Sequence, residues 1–263
     1  MKPHLIGLTG IPGTGKSHFA RSAADIGPTA VAIIDPKEAT FYGEQASVAA
    51  SVAKADERVK LICDLDWRPH LNKFHATGFN DLLKWVAARE SDDSQFVVID
   101  PMSEVSDLAM HEVLKMHNTN DPGTLSHGRA YTGHDQLFKS LITELRRLVV
   151  KGKTVICTFH GKMKELEGAG DASKGRGMDG QQEWQFDEQM LPAINSSYRQ
   201  HIQSPFDLWL YTKTTGFGPG RKHFITAQPD SVRPAKHSVR FKAGSQLGLI
   251  PNTVKDLLGM LDE

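Results

Sequence analysis

The feature that most constrains this chain is a glycine-rich segment near its start. Residues 10–17 read GIPGTGKS, which fits the pattern GxxxxGK[ST] of a phosphate-binding loop (P-loop). The apolar run Leu5–Leu8 before it predicts a strand, and residues 18–24 after it predict a helix. Glycines let successive backbone N–H groups approach phosphate oxygens where such a helix begins. The segment therefore predicts a nucleoside triphosphate site at a strand–helix junction.

The side chains of the P-loop have separate predicted tasks. Lys16 supplies a positive charge to the β and γ phosphates, and Ser17 supplies a hydroxyl to a Mg²⁺ ion that bridges the same phosphates. ATP and Mg²⁺ are therefore the predicted cofactors. The residues predicted to contact the nucleotide are Gly10, Ile11, Pro12, Gly13, Thr14, Gly15, Lys16, Ser17 and His18.

A second chemical element is the run Phe96–Asp100, FVVID. A continuous apolar run is typical of a central parallel strand that is buried on both faces. Its terminal acid is that of a Walker B strand, so we expect Asp100, on the strand beside the P-loop, to hold Mg²⁺ together with Ser17. The alternative is an aspartate that only ends a strand and caps the next helix.

Hydrolysis of a nucleotide also needs a group that orients or deprotonates water. Glu38 follows the predicted strand that ends at Asp35, and ligands of such sheets bind at the carboxyl ends of the strands. Glu104, just after Asp100, is the rival base. Glu38 could equally be a solvated loop acid.

Apolar runs alternate with helical periodicity over the first 160 residues. This alternation predicts an α/β fold with a mostly parallel central sheet flanked by helices. The predicted strands in this part are 30–35, 59–63, 96–100 and 154–159, and the predicted helices are 79–89, 103–116 and 135–150. Residues 117–134 are rich in Asn, Asp, Gly, Pro and Thr, and we expect a loop there.

The rest of the chain has shorter elements. The predicted elements are antiparallel edge strands at 207–212, 223–227 and 238–241, and a short helix from Thr253. We expect a single domain over 1–263. Its predicted parts are a nucleotide-binding core at 1–160, a glycine-rich mobile loop at 161–188 and a β-rich part at 189–263.

Composition limits the classes of partner. The chain has 31 basic and 31 acidic residues, so its net charge gives no general attraction to nucleic acid or membrane. Residues 211–242, however, carry seven Lys or Arg against one Asp, and could line a channel for single-stranded DNA or a subunit interface. Cys63 and Cys157 lie in apolar runs, as expected for buried thiols in a reducing compartment. With no signal-peptide pattern and no apolar run of membrane-spanning length, we expect a cytoplasmic protein.

Four segments together resemble the RecA-like recombinase core. Residues 32–41, AIIDPKEATF, resemble the strand and acidic turn that carry the catalytic glutamate. Residues 96–105, FVVIDPMSEV, resemble the Walker B strand and its turn. Residues 154–163, TVICTFHGKM, resemble the strand whose terminal Gln or His senses the γ phosphate and opens a DNA-binding loop. Residues 235–241, AKHSVRF, are similar to the basic turn through which a neighbouring RecA or RadA subunit reaches the nucleotide.

Overall, the chain most resembles the compact phage ATPases with a RecA core that are associated with single-strand annealing. The resemblance implies a DNA-stimulated ATPase whose partners are single-stranded DNA and further copies of itself, in an oligomer or filament. His160 would act as the switch that connects the nucleotide with the DNA-binding loop. Lys236 and Arg240 would act on the γ phosphate bound by a neighbouring subunit. The implied catalytic residues are Lys16, Glu38, Asp100, His160, Lys236 and Arg240.

Other interpretations stay open at this point. One is a P-loop kinase for a small molecule, in which Arg176 belongs to a closing lid. Another is an AAA+ loader or motor, although the β-rich C-terminal part differs from the helical lid of that class. A third is a DNA-binding module that uses ATP only as an assembly switch. His160 could also be an ordinary strand-end histidine, and Lys236 and Arg240 could belong to a solvated basic edge strand.

Overall fold

The computed structural model describes most of the chain. The described residues are 2–34, 71–76, 78–165, 188–194, 198, 201–216, 221–230 and 232–262. Glu38, Cys63, Arg176 and the predicted strand at 59–63 lie outside them. The same is true of residues 166–187, which make up most of the predicted mobile loop.

The described residues form one ten-stranded sheet. The strands are β1 Leu5–Gly10, β2 Thr29–Ile33, β3 Leu71–His75, β4 Phe96–Asp100, β5 Thr154–Glu165, β6 Glu188–Pro192, β7 Leu208–Thr215, β8 Lys222–Thr226, β9 Lys236–His237 and β10 Ile250–Pro251. Their order is β10-β8-β7-β1-β5-β4-β2-β3, with β6 paired to β5 and β9 paired to β7. The six strands from β7 to β3 are parallel, and β6, β8, β9 and β10 are antiparallel to their neighbours. The predicted α/β class with a mostly parallel sheet is confirmed.

Helices cover both faces of the sheet. They are α1 Lys16–Arg21, α2 Phe79–Ala88, α3 Met102–Met116, α4 Arg129–Val150 and α5 Val254–Gly259. Alternate residues of β4 enter two separate apolar clusters: Val97 and Ile99 pack with α2, α3 and α4, while Phe96 and Val98 pack with α1 and α5. This alternation is the two-residue period of a strand that is buried on both faces. No described helix has the length and apolar character needed to cross a membrane.

Several predicted boundaries were wrong. Helix α4 begins at Arg129, so the end of the predicted 117–134 loop is helical. Its buried face includes Ala130, His134 and Phe138, and the polar His134 interrupts the apolar stripe that reveals a helix in sequence. Strand β3 was not predicted at all. The predicted edge strand at 207–212 is in fact part of β7, an inner strand that pairs in parallel with β1.

The predicted mobile loop and the last predicted edge strand also need correction. Residues 161–165 extend β5 and pair with 188–192 of β6, so both ends of the predicted 161–188 loop belong to an antiparallel pair. The last edge strand, predicted at 238–241, is observed at Lys236–His237. Phe241 forms only an isolated bridge with Leu261.

Candidate active site

The P-loop lies between the end of β1 and the start of α1, as the sequence predicts. Gly15 has φ of 93°, in the left-handed region that side chains disfavour, and it directly precedes the first helical residue, Lys16. At Gly10, a Cβ atom would lie 1.8 Å from Thr212 Oγ1. Strand β7 therefore packs directly against the loop, and both motif glycines are required by geometry.

Polar side chains hold the shape of this loop. Thr14 Oγ1 donates a hydrogen bond to the Ile11 carbonyl at 2.6 Å, and Thr212 Oγ1 donates to Thr14 Oγ1 at 2.7 Å. Lys16 Nζ donates to the same Ile11 carbonyl at 3.1 Å, and only 5 % of Lys16 is exposed. The ammonium is therefore held within the loop, where a phosphate oxygen would be a stronger acceptor than a neutral carbonyl.

The loop forms one wall of a cleft of about 510 Å³, a usual size for a small-molecule site. Seven of its lining residues are among those predicted from sequence, and three are not. The predicted ones are Pro12, Gly13, Gly15, Lys16, Ser17, His18 and His160; the others are His223, Asn252 and Thr253.

Asp100 ends β4 and is almost completely buried. We expected Asp100 on the strand beside the P-loop, and this prediction was wrong. Strand β5 lies between β1, which leads into the P-loop, and β4. Thr158 of β5 donates a hydrogen bond to Asp100 Oδ1 and so fixes the carboxylate. A hydroxyl from Ser17 and this carboxylate are the oxygen ligands that suit Mg²⁺, so both residues fit the predicted metal role.

His160 is the residue of β5 that pairs with Gly10 at the end of β1. Its backbone N–H donates to Ser103 Oγ at 2.9 Å, and its Nε2 atom lies 3.9 Å from Glu104 Oε1. The structure thus brings His160 and the rival base Glu104 together beside the P-loop. The switching role of His160 stays a prediction.

Lys236 lies away from the P-loop of its own subunit. Strand β9 pairs with Leu208 and Trp209 at the amino end of β7, whereas Gly10 is at the carboxyl end of β1. Lys236 Nζ donates to the carbonyls of Gln203, Ser204 and Phe206 at 3.3, 2.9 and 3.5 Å. The Lys236 ammonium is thus held at the end of the sheet opposite the P-loop. The action of Lys236 and Arg240 on the nucleotide of a neighbouring subunit stays a prediction.

The unpredicted residues of the cleft come from the C-terminal part of the chain. His223 is on β8, and Asn252 and Thr253 form the turn between β10 and α5. Asn252 Nδ2 donates to the Gly15 carbonyl at 2.9 Å. These residues are more than 200 positions from the P-loop in sequence, so no local motif could have linked them to it. The one local signal, Thr253 followed by Asp256, predicts only the helix N-cap that is observed.

Comparison with known proteins identifies the family of the chain. Residues 2–239 match the family described as AAA domain. The chain belongs to this AAA-domain family. Together with the P-loop geometry, this membership makes the protein a nucleotide-binding ATPase of the AAA type. No curated protein matches the chain.

Two solved structures are similar to this AAA-domain protein at low sequence identity. One is the flagellar accessory protein FlaH from Methanocaldococcus jannaschii, with 13% identity, a TM-score of 0.42, and coverage of 94% of this chain and 89% of that chain. The other is the KaiC-like protein PH0186 from Pyrococcus horikoshii OT3, with 14% identity, a TM-score of 0.42, and coverage of 92% and 86%.

A second polar cluster of the AAA-domain protein lies between α3 and α4. Ser106 Oγ is 2.9 Å from His134 Nε2, and His134 Nδ1 is 3.1 Å from Asp135 Oδ1. The order of groups is that of a nucleophile, a base and an orienting acid. His134 is 0% exposed and Ser106 is 3% exposed, so no substrate can reach the hydroxyl. The cluster satisfies buried polar groups and is not a second catalytic site.

Proposed function

We propose that the protein is a Mg²⁺-dependent ATPase that self-associates and acts on single-stranded DNA, in recombination or annealing of the phage type. The observation that carries the ATPase part is the cleft in which Lys16 and Ser17 of the P-loop face His160 of β5. The DNA part is supported by the resemblance of the sequence to RecA-like proteins and by the basic residues near this cleft.

The P-loop binds the triphosphate through its backbone N–H groups and the Lys16 ammonium. The Ser17 hydroxyl and the Asp100 carboxylate would hold Mg²⁺, which stabilises negative charge on the phosphates during transfer. Thr158 keeps the buried Asp100 carboxylate in one orientation. On this proposal, the chain contributes binding and charge stabilisation, which are the main components of catalysis in phosphoryl transfer.

Glu104 is supported as the group that orients the attacking water. Its side chain is 40% exposed and lies 3.9 Å from His160, so it is near the cleft and accessible to water. Glu38, the other candidate, lies outside the described residues. Glu38→Gln and Glu104→Gln are matched charge-removing variants. The variant that binds ATP normally but loses turnover identifies the base.

The basic residues of 211–242 do not form one patch. Lys213, Arg221 and Lys222 lie toward the carboxyl end of β7, on the side of the P-loop, and Arg221 and Lys222 are exposed. Lys236 lies toward the other end of the sheet. On this proposal DNA phosphates contact the first group, because a strand bound there can influence the nucleotide site.

The decisive experiment measures ATP turnover with single-stranded DNA, with duplex DNA and without DNA, alongside particle size and a gel shift. We expect single-stranded DNA to stimulate turnover and to be retained. Unchanged turnover together with no DNA retention would refute the DNA part alone. Lys16→Ala should abolish both nucleotide binding and hydrolysis, and hydrolysis retained in this variant would refute the ATPase assignment.

A further inference from the structure

The cleft has two distinct sides. His160 lines the cleft from β5, on one side of β1 in the sheet, and Asp100 ends β4, the next strand on that side. His223 approaches from β8, on the opposite side of β1, and Asn252 and Thr253 follow β10 at the same edge. If the γ phosphate lies toward Asp100, the nucleoside extends toward His223 and Asn252.

Two atoms on this second side stand out. Within the described part of the chain, His223 Nδ1 and Asn252 Oδ1 are buried and have no hydrogen-bond partner. Asn252 as a whole is 6% exposed. Buried polar atoms are almost always hydrogen-bonded in folded proteins, so two unpaired ones on one wall of a cleft indicate a ligand that pairs with them.

The orientation of the Asn252 amide follows from its other contact. A backbone carbonyl can only accept, so the atom that bonds the Gly15 oxygen at 2.9 Å must be the amide nitrogen. The remaining atom, Oδ1, can only accept. It therefore requires a donor from the ligand. The His223 imidazole can donate or accept, depending on its tautomer.

We propose that His223 and Asn252 form the base subsite of this cleft and that Asn252 selects adenine. The exocyclic amine of adenine is a donor that matches Asn252 Oδ1. Guanine and hypoxanthine carry a carbonyl oxygen at that position, which would face the Asn252 oxygen with two acceptors and no proton between them. Both atoms belong to residues that line the cleft, so on this proposal the bound base supplies the partner that each of them lacks. This inference rests on the proposed nucleotide function of the P-loop.

The test compares ATP with inosine triphosphate, whose base has a carbonyl in place of the amine and a proton on the neighbouring ring nitrogen N1. Each competes with a fluorescent ATP analogue for the full chain. We expect ATP to bind about tenfold more tightly, because one hydrogen bond is lost and one buried acceptor stays unpaired with inosine triphosphate. Asn252→Ala should bring this ratio close to one. The control is Asn80→Ala on α2, which removes a surface amide bonded to Glu112 and should keep the wild-type ratio.

Each outcome separates the two proposals. Equal affinities of the wild-type protein for both triphosphates would overturn the base subsite and leave the P-loop assignment intact, and this comparison needs no variant. If Asn252→Ala weakens both ligands but keeps their ratio, Asn252 only supports Gly15, and adenine selection by Asn252 is wrong. If neither triphosphate binds and Lys16→Ala changes nothing, the nucleotide function itself fails. A thermal melt confirms that each variant is folded.

Discussion

Replacing Gly10 with alanine tests how closely β7 packs against the P-loop. The new Cβ would lie 1.8 Å from Thr212 Oγ1 and 2.7 Å from Thr14 Oγ1, distances that no real Cβ contact tolerates. Because Thr212 also donates its hydrogen bond to Thr14, the clash displaces that bond as well. Overpacking of this severity costs about 3 kcal/mol, which lowers the Tm of a chain of this size by about 8 °C.

A double-mutant cycle with Thr212→Ala isolates this contact. Thr212→Ala alone removes one hydrogen bond and should cost about 1 kcal/mol. In the double variant the clashing oxygen is absent, so we expect a loss of about 2 kcal/mol and not the additive sum of about 4. The control is Gly259→Ala, where a new Cβ has no atom within 4 Å.

The assay is thermal unfolding followed by circular dichroism, with nucleotide binding measured on the same samples. Gly10→Ala should also weaken ATP binding, since the loop must move to accommodate the Cβ. A Tm for Gly10→Ala equal to that of the wild type would show that β7 does not pack against the loop as described. Strictly additive effects in the double variant would show that Thr212 Oγ1 is not the atom with which the new Cβ clashes.

Two further predictions concern titratable groups. Burial alone would raise the pKa of Asp92, but hydrogen bonds from Ser94 and Lys153 outweigh it and hold that pKa below its usual value. The stabilisation from the Asp92 carboxylate is therefore present at neutral pH and is lost as the pH falls through the depressed pKa. In urea unfolding, Asp92→Asn should lower the free energy of unfolding at pH 7 and should lower it much less at acid pH. Burial raises the pKa of the Cys157 thiol and keeps it unreactive. In a Cys63→Ser variant, which leaves Cys157 as the single cysteine, a thiol reagent should label Cys157 only after unfolding. Rapid labelling of the native protein would contradict the burial of Cys157.

The sequence predicts best those features that are encoded locally. The P-loop and the strand Phe96–Asp100 each carry their pattern within ten residues, and both form the local structure that the pattern predicts. Register between strands is not encoded in this way. Nothing within FVVID indicates that β5 lies between this strand and β1. The hydrogen bond from Thr158 to Asp100 forms only because β5 is the neighbouring strand. Similarly, the inner position of β7 depends on which strands pair with it, and not on its own composition.

The C-terminal part of the chain has a larger role in the site than its sequence suggests. Among the described residues, the hydrogen bonds from this part to the segment that starts with the P-loop include Thr212 Oγ1 to Thr14, Asn252 Nδ2 to the Gly15 carbonyl, and the Val254 N–H to Ser22 Oγ at 2.8 Å. The last two contacts come from one turn and hold both ends of α1. We expect a shift of this turn to disturb the backbone at both ends of α1, including the Gly15 peptide of the P-loop. We therefore expect the β-rich part to influence nucleotide affinity through this turn, without a contact between the nucleotide and the distant Lys236.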